Sequence, residues 1–216
     1  MGNQTNNQSV LEAYKKALRK NNFEVFIVEN HEEASLLFFD QILPNINPGI
    51  ISWGDSMTMH ATGVIERIRK NEAYAIIDTF DKTISREDQI ERRRQALQSD
   101  LFITGTNAVT EKGQLVNLDM IGNRVTGITF GPKDVVLFIG KNKFVKNLDD
   151  AMTRIRTISA PLNMKRHPLF KAPCQVTGTC HDCCSPQRIC NTWTITEKSY
   201  PKGRIKIILI NEDLGL

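Results

Sequence analysis

Ile50-Ile-Ser-Trp-Gly-Asp-Ser-Met-Thr58 joins a β-rich run to the start of a helix through a single glycine. Residues 50–53 carry the β-branched and aromatic side chains of a strand, and the helix that follows extends to about Arg69. The same unit recurs in both directions. Upstream, Ser9-Val-Leu-Glu12 reads as a capping box opening a helix to about Lys20, with Leu11, Tyr14 and Leu18 on its apolar side. Residues 23–28 form a short strand, and Asn30 with Glu33 caps a second helix that ends before Pro44. Downstream come a strand over 74–78, a helix over 85–98 and a strand over 101–104. This alternation predicts an α/β fold, a largely parallel Rossmann-like sheet flanked by helices.

Beyond residue 104 the pattern changes. Residues 107–110 and 114–119 flank the turn Glu111-Lys-Gly113 and read as a small hairpin-like β insertion. Residues 124–130 and 135–139 read as consecutive strands around Gly131-Pro132, and 148–158 as a late helix. Pro161 opens an irregular stretch, and 204–210 is a final strand apolar enough to rejoin the main sheet. The organisation expected is a disordered polar tail (1–9) and one α/β domain (10–216), with a cysteine-rich segment (174–190) as an embellishment.

Forty per cent hydrophobic residues in 216 support a real core, and no apolar run approaches the ~20 residues of a membrane span. The net charge of +4 is mild. The run Arg92-Arg93-Arg94 alternates with acids and reads as a solvated face of a helix whose buried side carries Ile90 and Leu97. With few aromatics to stack bases, nucleic acid is not an expected partner. The polar start lacks the charged and apolar regions of a secretory signal, and Asn6 stands where a myristoylation motif after Gly2 wants Ser or Thr. A cytoplasmic location is expected.

All five cysteines fall between Cys174 and Cys190, around a Cys180-x-x-Cys183 pair. Gly178, Asp182, Ser185 and Pro186 supply the turns that gather them. Soft thiolates so concentrated select an iron–sulfur cluster or zinc. The ligand set expected is Cys174, Cys180, Cys183 and Cys190. Cys184 is left out because adjacent side chains rarely converge on one metal, and His181 is assigned a solvent-facing or supporting position. Redox-active thiols, disulfides and inert structural thiols are the other readings of the segment.

Ligands of open α/β sheets bind at the carboxyl ends of strands. Three loops qualify. Gly54, Ser56, Met57 and Thr58 precede a helix start that suits a phosphate or carboxylate, with Ser56 equally readable as a cap. Gly105, Thr106 and Asn107 place an amide and a hydroxyl at the sheet edge. Asn117, Asp119, Asn123 and Arg124 surround Gly122, and Arg124 offers a planar fork to an anion. The same loop also reads as a β-turn whose Asn and Asp side chains satisfy local backbone. The expected ligand is a small anionic metabolite. No nucleophile–base pair is legible: the four histidines sit in unrelated contexts, and Glu111 reads as an exposed turn residue or a nucleophilic carboxylate.

Several ordered segments together resemble the LUD-domain family of lactate-utilization proteins. They are Gly54-Asp-Ser-Met-Thr58, Thr104-Gly-Thr-Asn-Ala-Val-Thr-Glu-Lys-Gly-Gln-Leu-Val-Asn117, Gly122-Asn-Arg-Val125, Phe130-Gly-Pro132 and Gly140-Lys-Asn-Lys143. Pro173-Cys-Gln-Val-Thr-Gly-Thr-Cys180, Ser185-Pro-Gln-Arg-Ile-Cys190 and the closing Gly203-Arg-Ile and Asn211-Glu-Asp-Leu-Gly215 complete the set. The resemblance covers the chain from about residue 10. It implies a fold similar to glucosamine-phosphate deaminases, ribose-phosphate isomerases and coenzyme A transferases. Asn107 and Ala108 stand where those enzymes place acids, which argues against sugar-phosphate isomerisation. The resemblance also implies a role in oxidising L-lactate to pyruvate alongside iron–sulfur partner proteins, as a redox accessory or enzyme component. The alternative is a coenzyme A- or sugar-phosphate-binding protein with a structural zinc.

Overall fold

The computed structural model describes residues 2–216, with side chains from Gln8 onward. Helix α1 (Gly2–Lys20) buries Leu11, Tyr14 and Leu18, the apolar side read from sequence. It begins at Gly2, so Ser9 is an interior position and not its cap. The tail expected over 1–9 is helical where described, and Met1 lies outside the described residues.

After β1 (Glu24–Val28), the Asn30 side chain accepts from the Glu33 amide and starts α2 (His31–Leu37). Pro44 does not end this helix. A π-turn (Phe38–Ile42) intervenes and α3 (Leu43–Ile46) continues the rod, closed by Asn47 in the left-handed region at φ 47°. A proline inside an α-helix removes a hydrogen bond and clashes with the carbonyl of residue i−4; placed just after a wider turn it begins a new segment. β2 (Ile50–Trp53) leads into α4 (Met57–Ala61), which Ser56 caps by accepting from Met59 N, and α5 (Val64–Arg69) follows a break at Gly63. Next come β3 (Ala75–Ile77), α6 (Arg86–Gln95), β4 (Leu101–Thr104), β5 (Ala108–Thr110) and β6 (Leu115–Asp119). No residue of α6 is buried, and Ile90 and Leu97 are only half-buried.

Where the sequence reads as a strand over 124–130, Phe130 alone is extended, and residues 124–129 lie in the helix that precedes it, α7 (Asn123–Thr129). Its β-branched residues imitate a strand, but Gly122, held at φ 88° with its amide on Asp119 Oδ1 at 2.9 Å, turns the chain into a helix. Val125 and Ile128 then face the core one turn apart. β7 (Asp134–Gly140) and β8 (Phe144–Val145) precede α8 (Leu148–Arg154). A second π-turn (Ile155–Ser159) leads to α9 (Ala160–Lys165), so Pro161 continues the helix instead of opening a loop. α10 (Pro173–Thr177), β9 (Thr192–Thr196) and β10 (Ile205–Ile210) complete the order.

Six parallel strands make the main sheet, in the order β1-β10-β7-β4-β2-β3, so the last strand lies beside the first. Successive side chains alternate between its two faces. Ile103, Val136, Phe138, Ile208 and Ile210 pack with Phe38, Trp53, Met59, Ile65 and Ile68 on one side. Phe102, Val135, Leu137, Ile139, Ile207 and Leu209 pack with Leu11, Leu18, Val109, Leu115 and Ile128 on the other. Each fully buried aliphatic or Phe side chain contributes roughly 1.5–3 kcal/mol of transfer free energy. The hairpin is more than an insertion: it belongs to a second sheet, β8-β5-β6-β9, in which β6 pairs antiparallel with both β5 and β9. Tyr14 stacks on Phe144 at 4.1 Å and its hydroxyl donates to Val145 O, fastening α1 to that sheet.

Candidate functional site

The neighbouring strands β2, β4 and β7 end side by side, and the loops that leave them meet at a cleft of about 200 Å³. Of the residues selected from sequence, Ser56, Met57, Gly105, Thr106, Asn107, Asp119, Asn123 and Arg124 line it. Gly54, Thr58 and Asn117 do not line it and serve the loops that do. Gly54 lies so close to Arg124 that an added Cβ would sit 2.8 Å from Arg124 Cγ. The Thr58 hydroxyl donates to Leu214 O, and Asn117 Oδ1 accepts from Arg124, Asn107 N and Thr106 Oγ1.

Arg124 is buried, and its fork is occupied by the protein. Nε donates to Asp119 Oδ2 at 3.1 Å; Nη1 donates to Asn117 Oδ1 at 2.7 Å and Gly105 O at 3.1 Å. Nη2 donates to Asn107 Oδ1 at 3.0 Å and Leu118 O at 3.2 Å. All five N–H donors are therefore committed. Asp119 in turn gives its second oxygen to Gly122 N. The turn reading of this loop is the one its hydrogen bonds follow: Arg124 clasps the loops together and keeps no free N–H for a ligand.

Other cations of the cleft escaped the sequence reading. Arg93 sits in the run taken for a solvated face, yet only its neighbours are paired outward, Arg92 with Asp81 and Arg94 with Glu91. Arg93 lines the cleft, half-buried, with its guanidinium 5.5 Å from the Phe80 ring centroid. Lys143, at the end of a short turn after β7, also lines the cleft and is 4% exposed. Burial, reinforced by the charges of Arg154 and Arg124, brings its ammonium down to about 7. Arg166 forms a bidentate pair with Asp55, at 2.7 and 3.3 Å, and joins the end of α9 to the loop after β2. Burial alone raises the Asp55 carboxyl, but hydrogen bonds and charge from His60 and Arg166 outweigh it and hold it well below the carboxylate range. Glu111 is an exposed turn residue at the hairpin tip, away from the cleft.

The cysteine segment packs beside α9. Cys174, Cys180, Cys183 and Cys190 are half-buried around a second, small cavity with Met164, Ala172 and Ile189. Cys184 is exposed and outside it. Gly178 at φ 74° and Asp182 at φ 44° make the turns. Burial pushes the Cys174 thiol up, and the nearness of Cys183, Cys190 and Cys180 adds to it. Arg156 Nη1 and Asp182 N approach Cys180 Sγ at 3.8 and 3.4 Å, while Arg188 donates to the carbonyls of Cys183 and Cys190. His181 is exposed, with Nε2 2.8 Å from Thr177 Oγ1. Among the described residues no group of three or more His, Cys, Asp or Glu side chains is placed to hold a metal ion.

The LUD domain family model matches residues 11–210. The chain belongs to the LUD-domain family. No curated protein gives a match. The fold is similar to the crystal structure of a DUF162 family protein from Deinococcus radiodurans, with a TM-score of 0.51 and 11% identity, over 94% of this chain and 98% of that one. At that identity the likeness speaks for the fold alone. No helix among the described residues of this LUD-domain protein is long and apolar enough to cross a membrane.

Within the family segments, Gly140-Lys-Asn-Lys143 held the signal for Lys143. A lysine three residues past the glycine that closes an apolar strand stands at the carboxyl end of the sheet, where ligands of α/β folds bind. Asp55 stood inside the first quoted motif. Arg93, Asn163, Ser159 and Arg166 carry no such local mark, because they reach the cleft from helices distant in sequence.

Proposed function

We propose that this LUD-domain protein is a redox component of lactate-type 2-hydroxyacid utilization, working beside iron–sulfur partner proteins. In this reading the cleft takes a small anionic metabolite, and Cys174, Cys180, Cys183 and Cys190 hold an iron–sulfur cluster. The observation that carries it is a shared wall: Ala160 and Ile189 line both the cleft and the cysteine cavity. Electron transfer needs donor and acceptor close together, whereas a metal that only braces its loop needs no such neighbour.

An iron–sulfur cluster bound there would supply one-electron chemistry. Arg156 Nη1 and Asp182 N stand within reach of Cys180 Sγ, where they would donate to a cluster-ligating sulfur. Cys174, Cys180, Cys183 and Cys190 border one cavity and would be the residues to hold the cluster, on a segment turned at Gly178 and Asp182. Oxidation of a 2-hydroxyacid to its 2-oxoacid releases two electrons and two protons, so partners that accept electrons belong to the reading. In the cleft, Arg93 and Lys143 supply cationic side chains and Asn123 and Ser56 supply polar contacts, beside the loops that Arg124 ties together. A cleft of about 200 Å³ is smaller than the ~300–1,000 Å³ typical of drug-sized ligands, which favours a three-carbon acid over a coenzyme.

The test is anaerobic reconstitution of the full chain with iron and sulfide, followed by metal and sulfide analysis and reductant titration. The expected result is bound iron and sulfide with a visible band that bleaches on reduction and shifts on addition of L-lactate or pyruvate. A full complement of zinc, with no visible band and no response to reductant, would defeat the redox reading.

A further inference from the structure

Of the four histidines, three have partners for their rings. His31 lies between Glu32 and Glu212 at 3.0 and 2.9 Å, His60 faces Asp55 at 3.5 Å, and His181 Nε2 is 2.8 Å from Thr177 Oγ1. His167 differs. It lines the cleft, and among the described residues neither of its ring nitrogens has a hydrogen-bond or ion-pair partner.

The residue is nevertheless fixed in place. Its amide donates to Met164 O at 2.9 Å, and its carbonyl accepts from Phe170 N at 3.0 Å and Gln175 Nε2 at 2.8 Å. Its ring stacks on Phe170 with centroids 5.2 Å apart. Ser159 and Asn163 precede it at intervals of four, and all three line the cleft from α9 and its two ends. The oxygens of the other two are taken: Ser159 Oγ accepts from Arg154 Nη1, and Asn163 Oδ1 from Arg166 Nη1. His167 is the member of this row whose acceptor is left for whatever enters the cleft. Burial, and after it the charge of Arg166, hold the imidazole below its ordinary range against the opposing pull of Asp55. The ring is then neutral at pH 7, with one donor and one acceptor nitrogen.

We infer that His167 recognises the oxygen on C2 of the acid bound in the cleft, and so favours 2-hydroxy and 2-oxo acids over an unsubstituted carboxylic acid. The inference rests on the reading that the cleft takes a small acid of the lactate type, and it names the residue that tells such an acid from its relatives. A carboxylate is better met by the cations that line the cleft, which leaves the neutral ring for the neutral oxygen. The two ends of a hydroxyacid oxidation differ at that oxygen: a hydroxyl both donates and accepts, whereas an oxo group only accepts. A neutral imidazole serves both. Its bare nitrogen accepts from the hydroxyl, and in the other tautomer the same nitrogen carries a proton to donate to the oxo group. Lysine and arginine can only donate, so the cations of the cleft cannot take over this part.

The experiment is calorimetric titration of the full chain with L-lactate, pyruvate and propionate at pH 7. The wild type is compared with His167→Phe, which keeps a ring to stack on Phe170 and removes both nitrogens. All three probes carry the same carboxylate, so its contacts drop out of the comparison. The expected result is wild-type binding of L-lactate and pyruvate roughly three- to tenfold tighter than that of propionate, the range of one hydrogen bond. His167→Phe should lose that advantage and bind propionate as the wild type does. Where the variant fails to fold, carbethoxylation of the wild-type histidines, read by peptide mass spectrometry, decides the matter. Saturating L-lactate or pyruvate should slow modification of His167 but not of the exposed His181, and propionate at equal occupancy should slow it less. Wild-type protein that binds propionate as tightly as the other two, an advantage that survives in His167→Phe, a propionate affinity that falls as far as theirs, or equal shielding by all three would each overturn the inference and leave the cleft an acid site. Wild-type protein that binds none of the three would overturn the inference and the acid reading together.

Discussion

Arg124 Nη1 and Asn117 Oδ1 meet at 2.7 Å, in a clasp that also takes in Asp119, Gly105, Asn107 and Leu118. The residue with the shape of an anion clamp is a structural bolt across β4, β6 and α7.

Arg124→Ala should cost about 3–5 kcal/mol of unfolding free energy, because it leaves the Asp119 carboxylate and the Asn117 oxygen buried without their main donor. Arg124→Lys should recover little, since an ammonium cannot reproduce a planar fork of five donors. Urea denaturation of both variants checks this. A loss below about 1 kcal/mol, the range of exposed ion pairs, is the outcome that refutes it.

Lys143→Met should alter stability in a pH-dependent way. The lysine ammonium falls from 10.5 to about 7 on folding, by burial and then by the charges of Arg154 and Arg124. Between those two values the unfolded chain binds more protons than the folded one, so the Lys143 contribution to stability rises with pH. Below about 7 both states are protonated and the full penalty of the buried charge applies. The methionine variant should therefore be the more stable at pH 7, with the gap nearly closed at pH 10. Denaturation midpoints at the two pH values decide it, and a gap independent of pH counts against a buried ammonium.

Single Cys→Ser variants should separate the five thiols. Loss of Cys174, Cys180, Cys183 or Cys190 is expected to abolish bound iron after anaerobic reconstitution, while Cys184→Ser keeps it, because Cys184 alone is exposed and outside the shared cavity. Iron content per chain is the measurement. Retention by Cys174→Ser together with loss in Cys184→Ser reverses the assignment.

Gly127→Ala should destabilise the protein by roughly 1–3 kcal/mol, the usual cost of forcing an extra carbon into a packed core. The new Cβ would stand 2.7 Å from Phe102 Cε1, and Phe102 is wedged in the sheet. Phe102→Leu in the same chain should recover part of the loss. Thermal melts of the single and double variants test it, and additive losses would mean that the two sites do not press on each other.

The main sheet was legible because its strands are short apolar runs set between turn residues, and burial on both faces leaves no room for another pattern. Three helical segments were not. Residues 123–129 carry Val125, Thr126, Ile128 and Thr129, whose branching favours strands, and the Gly122 turn held by Asp119 and the contact with Phe102 decide for a helix. Pro44 and Pro161 are local stop signals that a preceding π-turn overrides in each case. β8 and β9 were missed because two or five half-exposed residues become strands only when β5 and β6 are there to pair with.

The cleft was legible as loops and less so as chemistry. Eight of the eleven selected ligand-site residues line it, since glycine and polar residues after a strand mark the carboxyl end of a sheet. The cations that face it were hidden for a physical reason. Lysine and arginine are solvated by default, and what buries Lys143 is the return of residues 214–216 from the far end of the chain. The same default placed Arg93 on the outside of α6.

Ala160 and Ile189 also impose a symmetry on whatever passes between the two cavities. If filling the cleft moves that partition and changes the affinity of the cysteine loop for its cargo by some factor, loading the loop must change the affinity of the cleft by the same factor. The partition is built from the first residue after a π-turn and from an isoleucine one position before Cys190, so a shift in either element reaches both chambers at once.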